Sequence, residues 1–270
     1  MTSIERKTII EAIEHADCLI PHIPGYCEYA TISGVLTCVT PADDPMSNKA
    51  LLAHLNDKSV DGAVRQVTEY FAGKRKPFSW IVGPGSAPPD LGSRLLACGF
   101  GQPLVCHGMY LPDPGIKIDT DPSIRVSELS VDKPDAAVEI MATGFNMTLE
   151  ASRSLHEIMA LSANELRTRI YLAYLAGVDR AVACGYVTRF PDRPIALLCG
   201  GATLQEYRGR GAYKALLARR LRDIVRDGVN TVIVLADQRT SAPICAKVGF
   251  AKVCELQMYV WRPDNVSASN

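Results

Sequence analysis

Arg208, Gly209, Arg210 and Gly211, followed by Lys214, are the residues whose types and spacing could do chemistry together. Two glycines let a ligand approach the backbone closely and tolerate torsions closed to other residues. The three cations supply positive charge beside them. If a helix starts here, its first backbone N–H groups have no intrahelical partner and the positive end of its dipole adds to the field. Such a turn is suited to a phosphate or a diphosphate.

The flanking residues predict the elements that would hold this turn. Ile195–Leu198 is an apolar run, Cys199–Ala202 is small, and Thr203 and Leu204 follow, which reads as a buried strand ending at the turn. Beyond Gly211, the residues Ala212, Leu217, Leu221, Ile224 and Val225 share one helical face, with Arg219, Arg220, Arg222 and Arg226 elsewhere. Gly228 stands where that helix would end. A Walker loop would need Gly-x-x-x-x-Gly-Lys-Ser/Thr, which is absent. A dinucleotide fold would need a third glycine where Lys214 stands, and too little chain follows to finish its sheet, although Asp237 mimics its ribose-binding acid.

The string Arg208-Gly209-Arg210-Gly211-Ala212-Tyr213 resembles the Gln/Arg-x-x-Gly-x-Gly/Ala coenzyme A signature of the GNAT N-acetyltransferases, departing at its last place. The resemblance covers 124–261 in full, because strand, two helices, three antiparallel strands, helix, strand, helix, strand is the GNAT order. It implies acetyl-CoA as acyl donor. The diphosphate would lie on Gly209, Arg210, Gly211, Ala212, Tyr213 and Lys214. Arg208 would either serve the phosphates or brace the turn. The pantetheine arm would pair with the backbone of Gly201, Ala202 and Thr203, in a gap where this strand and Thr231–Ala236 splay apart, and Gln238 would contact the arm. No metal is implied.

The implied reaction is attack of an amine on the thioester. Where relatives place a proton-donating Tyr, this chain has Cys245, which is read either as an acid or as a small buried residue. Where some relatives carry a Glu base, this chain has about Leu197, and no carboxylate lies between Ile195 and Leu204. Proton transfer through water is the expectation because that carboxylate is missing; the resemblance puts Glu150, His156 and Glu157 in the region that shapes the acceptor pocket, but they are expected on solvated helix faces, and Glu206 in a solvated turn. Tyr171, Tyr174, Phe145 and Tyr186 line the acceptor site or pack in the core. Two other readings remain: transfer of a longer acyl group, since Gly200–Thr203 and Cys245 are small, and a CoA-binding sensor or scaffold without catalysis.

Composition narrows the partners. The 270 residues carry 29 basic and 29 acidic side chains, formal net charge zero, which argues against nucleic acid or an anionic membrane held by bulk charge. No apolar run is long enough to span a membrane, and MTSIERKTII lacks a signal-peptide pattern. Nine cysteines without Cys-x-x-Cys pairs fit free thiols in a reducing, cytoplasmic setting and give no zinc spacing. A small-molecule amine is the expected acceptor. Monomer and homodimer are both open.

A repeat organises the whole chain. Leu95–Leu111, LLACGFGQPLVCHGMYL, and Ile244–Val260, ICAKVGFAKVCELQMYV, each read as a short helix, Gly-Phe, a strand and Met-Tyr. The fold expected is therefore mixed α+β: two tandem GNAT-like domains of three αβα layers, with the C-terminal one complete. The boundaries expected are a degenerate domain over 1–115, a linker over 116–123 within the Pro/Asp-rich LPDPGIKIDTDPS, and an acetyl-CoA-binding domain over 124–270. The first copy lacks the Arg-Gly-x-Gly loop and should not bind the cofactor. Its expected elements are a helix over 4–19, a strand pair over 29–39 turning near Gly34, helices over 50–55 and 60–71, a strand over 78–82, a helix over 91–98 and a strand over 105–111. In the second copy Ser130 or Asp132 caps a helix with Pro134 in its first turn, broken at Gly144-Phe145-Asn146. A helix over 150–162 and strands over 169–176 and 181–189 follow. The tail PDNVSASN is expected to fray.

Overall fold

A computed structural model describes residues 3–130 and 134–263. The elements, in order, are α1 (Ser3–Glu14), β1 (Glu28–Ile32), β2 (Val35–Val39), β3 (Lys49–Leu51), α2 (Val60–Gly73), β4 (Phe78–Val82), α3 (Leu91–Ala97) and β5 (Leu104–Leu111). There follow β6 (Arg125–Leu129), α4 (Asp135–Phe145), α5 (Leu149–Leu161), α6 (Ala163–Leu166), β7 (Arg169–Tyr174), β8 (Ala183–Arg189), β9 (Ile195–Thr203), α7 (Ala212–Arg226), β10 (Thr231–Asp237), α8 (Ser241–Val248) and β11 (Ala251–Trp261). The mixed α+β class holds. Asp132 and the tail from Asp264 lie outside the described residues.

Two compact units interleave along the chain, rather than meeting at a single linker. The first holds residues through Gly108 with Ala236–Arg239 and the chain from Val253, and the second holds Met109–Leu235 and Thr240–Lys252. In the first, the strand order is β1-β2-β3-β4-β11-β5. β1 and β2 form the expected hairpin, with Ser33 and Gly34 both at positive φ in its turn. The expected helix over 50–55 is instead strand β3 followed by an irregular loop: Lys49 and Ala50 pair in parallel with Ser79 and Trp80 of β4, and Leu52 at φ 54° ends the strand. Three residues are too few for periodicity to tell strand from helix, so pairing decided it. Phe71, Phe78, Trp80, Phe100 and Trp261 are central to the core, with Phe71 and Phe78 stacked at 4.1 Å.

In the second unit the order is β10-β9-β8-β7-β6. Helices cover both faces. Added carbon at Gly144 of α4 would strike the Ala202 side chain of β9, whereas added carbon at Gly201 would strike Tyr213 of α7. α4 runs through Gly144-Phe145, and Asn146, at φ 52°, is the left-handed residue that ends it. The Thr148 hydroxyl caps α5 by accepting from the Ala151 N–H at 3.1 Å.

The two copies share their closing turn atom for atom. Phe100 donates to the Leu95 carbonyl and Phe250 to the Cys245 carbonyl, each at 3.1 Å, around Gly99 and Gly249 at positive φ. The likeness also extends backward: β3, α2 and β4 repeat the strand, helix, parallel strand order of β9, α7 and β10.

Candidate functional site

The site is built on β9 and the start of α7. β9 pairs in parallel with β10 from Ile195–Thr231 to Leu198–Val234, and there the register ends, while β9 runs on to Thr203. On its other side β9 pairs with β8 from Ala196 to Thr203, but not evenly. Cys184 lies opposite Ala202 and Tyr186 opposite Cys199, so Gly185 alone faces both Gly200 and Gly201. That two-against-one arrangement is a β-bulge, which frees peptide groups from the ladder. Gly200 takes φ 56°, and carbon added there would lie 2.5 Å from the Tyr186 ring, so glycine is required twice over.

After Thr203, a 3₁₀ turn over Gln205–Tyr207 leads to the loop. Gly209 and Gly211 sit at φ 75° and 85°, and Gly211 is the N-cap of α7. Ala215 donates to the Gly211 carbonyl at 3.0 Å, so the amides of Ala212, Tyr213 and Lys214 precede the helical ladder. Arg208, Gly209, Arg210, Gly211 and Lys214 are exposed. The Arg208 Nε donates to the Thr203 carbonyl at 3.2 Å, which makes it a brace of the turn. Arg180 and Arg210 each lie about 6 Å from the centre of the Tyr207 ring, and Arg180 pairs with Glu206 at 2.9 Å. Glu206 is thus an exposed partner of a cation, as expected of a turn residue.

Beneath the bulge the loop's aromatic residue turns inward. Tyr213 presents its backbone amide to the helix N-terminus but packs its ring under Gly201, where added carbon would lie 2.9 Å away. Its hydroxyl is hydrogen-bonded to the Cys245 thiol, and burial pushes its pKa up to about 12. Cys245 is fully buried, and burial raises its thiol, opposed by the Tyr213 bond. Arg220, expected away from the apolar face, is 1% exposed. Gly185, lacking a side chain, leaves room for its guanidinium, whose Nη1 donates to the Tyr186 carbonyl at 3.3 Å. Val225, expected on the buried face, is exposed.

The structure brings together Gly201, Ala202, Thr203 and the 208–214 loop on consecutive elements of one unit. Gln238 belongs to the other unit, where its N–H donates to the Val105 carbonyl at 3.1 Å. Of the residues expected on solvated helix faces, Glu150 and Glu157 are exposed, but His156 is 2% exposed. Its Nδ1 lies 3.1 Å from the Tyr186 hydroxyl. Tyr171 and Tyr186 are core residues, Tyr174 packs under Arg125, and Phe145 is 44% exposed. The sequence signal of this bulge is the pair of glycines, Gly200 and Gly201, inside the strand.

The first copy differs at the corresponding turn. Between β3 and α2 the chain has no glycine, and the Asn56 side chain takes the Lys58 and Ser59 amides, each at 3.0 Å. Among the described residues no group of His, Cys, Asp and Glu is arranged to hold a metal ion, and no helix is long and apolar enough to cross a membrane.

The fold is that of the GCN5-related N-acetyltransferases. A GCN5-related N-acetyltransferase from Kribbella flavida superposes with TM-score 0.68 over 96% of both chains at 13% identity. A tandem GNAT protein from the clavulanic acid biosynthesis pathway gives TM-score 0.58 over 85% of this chain and 78% of its own, at 15% identity. A GCN5-related N-acetyltransferase from Sphaerobacter thermophilus gives 0.59 over 86% and 81%, also at 15%. No family model and no curated protein matches the sequence. The likeness spans nearly the whole chain, so the GNAT fold reaches into the first half, where the sequence resemblance was confined to the closing elements.

Proposed function

We propose that the chain is an N-acyltransferase that takes the acetyl group of acetyl-CoA and passes it to the amine of a small molecule. The observation that carries this reading is the glycine loop: Gly209 and Gly211 in left-handed conformations open α7, one short turn beyond a bulged strand whose parallel ladder has ended. The residues fit the donor. Carbon added at Gly209 would meet nothing within 4 Å, so the backbone there is open to a diphosphate. The Thr203 hydroxyl is buried with no hydrogen-bond partner, a polar atom left for a ligand at the end of β9.

Acetyl-CoA supplies an acyl group held as a thioester, which an amine lone pair can attack. The chain's share is to bind and orient. The amides of Ala212, Tyr213 and Lys214, with Arg210 and the Lys214 ammonium, receive the diphosphate. Gly201, Ala202 and Thr203 offer backbone to the arm, as an added strand would use it. Cys245 is enclosed behind Tyr213, and its position supports packing more than proton donation.

The test is thermal unfolding with acetyl-CoA, followed by thiol release with a panel of amines. Donor at 100 times its dissociation constant adds about 2.7 kcal/mol to stability. Gly211→Asp places bulk and negative charge at the phosphates and abolishes that gain, whereas Cys245→Ala keeps turnover. Undiminished affinity in Gly211→Asp overturns the loop assignment.

A further inference from the structure

The proposed reaction lacks a proton acceptor on β9, since no carboxylate lies between Ile195 and Leu204. An alkylammonium has no lone pair until a proton leaves it. Resting on the N-acyltransferase reading, we infer that Tyr186 and His156 form the relay that takes this proton. The Tyr186 hydroxyl receives it from the acceptor, and His156 stores it.

Three observations converge on this pair. First, the Tyr186 ring lies directly on Gly200 of the bulge: carbon added at Gly200 would sit 2.5 Å from Tyr186 Cδ2 and 3.1 Å from Cε2. The hydroxyl is therefore one ring's length from the peptide groups that the bulge frees, on the face of β9 covered by α4 and opposite to Tyr213. Second, that hydroxyl meets His156 Nδ1 at 3.1 Å, with His156 2% exposed and Tyr186 fully buried. Burying two polar side chains is costly unless they are hydrogen-bonded to each other or to further partners. Third, α5 is held to α4 by a buried bond, Ser152 Oγ to the Val138 carbonyl at 2.8 Å, and the His156 side chain is enclosed rather than swinging in solvent. Burial pushes the Tyr186 phenol up, with the neighbouring Cys184 and Cys199 adding to the shift, so the hydroxyl stays protonated and relays rather than stores charge.

The step balances. The ammonium N–H bond breaks as a Tyr186 O–H bond forms, and the original Tyr186 O–H bond breaks as a His156 Nδ1–H bond forms. The amine becomes neutral and the imidazole gains one positive charge, which it later loses with the proton to water. This requires Nδ1 to be the unprotonated nitrogen beforehand. Neighbouring ionisable groups are the thiols of Cys184 on β8 and Cys199 on β9 and, on the other face, the buried Arg220 guanidinium of α7, which donates to the Tyr186 carbonyl at 3.3 Å. On α4 they are the exposed carboxylates of Glu139 and of Asp135, which pairs with Arg153 of α5 at 3.3 Å.

The experiment measures kcat/KM against pH for wild type, Tyr186→Phe and His156→Gln, with acceptor amines of graded basicity. Acetyl-CoA thermal shifts are recorded for each protein. Both variants are expected to keep the thermal shift, to lose about 100-fold or more in kcat/KM for a strongly basic amine, and to show a profile whose rise with pH follows the ionisation of the amine itself. The loss should shrink toward unity for amines already unprotonated at the assay pH, a trend that a merely structural role would not produce. Tyr186→Phe keeps the ring on Gly200 and carries the test alone if His156→Gln does not fold. Wild-type rates and profile in a folded Tyr186→Phe overturn the relay and leave the acyltransferase reading intact. A wild type that shows neither a thermal shift nor turnover overturns that reading and the relay with it.

Discussion

Gly201 shows how much a single residue can decide. It has no side chain, and the Tyr213 ring occupies the space that one would need. The sequence marks Tyr213 as a departure from a small residue. The structure gives the departure a counterpart in Gly201 and a bond to Cys245. Gly201→Ala should therefore destabilise the protein by about 1–3 kcal/mol through overpacking. Adding Tyr213→Ala should recover part of that loss, because the clash has only one partner. Chemical denaturation of both single variants and the double variant measures the coupling, and strict additivity would show that the ring gives way freely. Gly201 and Tyr213 are legible in the sequence as residues. Their contact is not, because it joins a strand to the opposite side of a helix turn.

At the scale of elements, α5 matters more than its sequence announces. Periodicity places a helix over 150–162, close to the observed Leu149–Leu161. It also places His156 toward solvent, whereas the fold turns it inward to Tyr186. Helix periodicity fixes which residues share a face but not which face meets a sheet. The Thr148 cap anchors the start of this helix. Thr148→Ala should cost about 1 kcal/mol, a fall of about 2–4 °C in Tm for a chain of this size. Calorimetry checks it, and an unchanged Tm would mean that tertiary packing alone holds the first turn. β3 makes the complementary point. Its three residues carry no usable pattern, and it is a strand because Lys49 and Ala50 find Ser79 and Trp80 alongside.

At the scale of the molecule, β11 is the most instructive segment. It is the last strand among the described residues, yet from Gln257 to Trp261 it pairs antiparallel with β4, from Val82 to Phe78. Tyr259 and Trp261 bury themselves among Phe78, Trp80, Leu91 and Leu95 of the first unit. Both tryptophans of the chain lie in that core, so tryptophan fluorescence reports on the first unit specifically. Trp261→Ala should destabilise this core by about 3–5 kcal/mol. The fluorescence midpoint in denaturant, with Trp80 as the remaining reporter, should fall accordingly. A midpoint equal to wild type would separate β11 from the first core.

The sequence by itself determined the strand–turn–helix at 195–228, the glycines that its loop requires, and the repeat around Gly99-Phe100 and Gly249-Phe250. These depend on torsions and on neighbours a few residues apart, which local residue types dictate. Tertiary structure alone decided the bulge opposite Gly185, the inward turns of Tyr213, Arg220 and His156, and the company kept by β11. Each of those joins groups distant along the chain, and such contacts are selected by the burial and pairing of whole faces, which no short stretch of residues encodes.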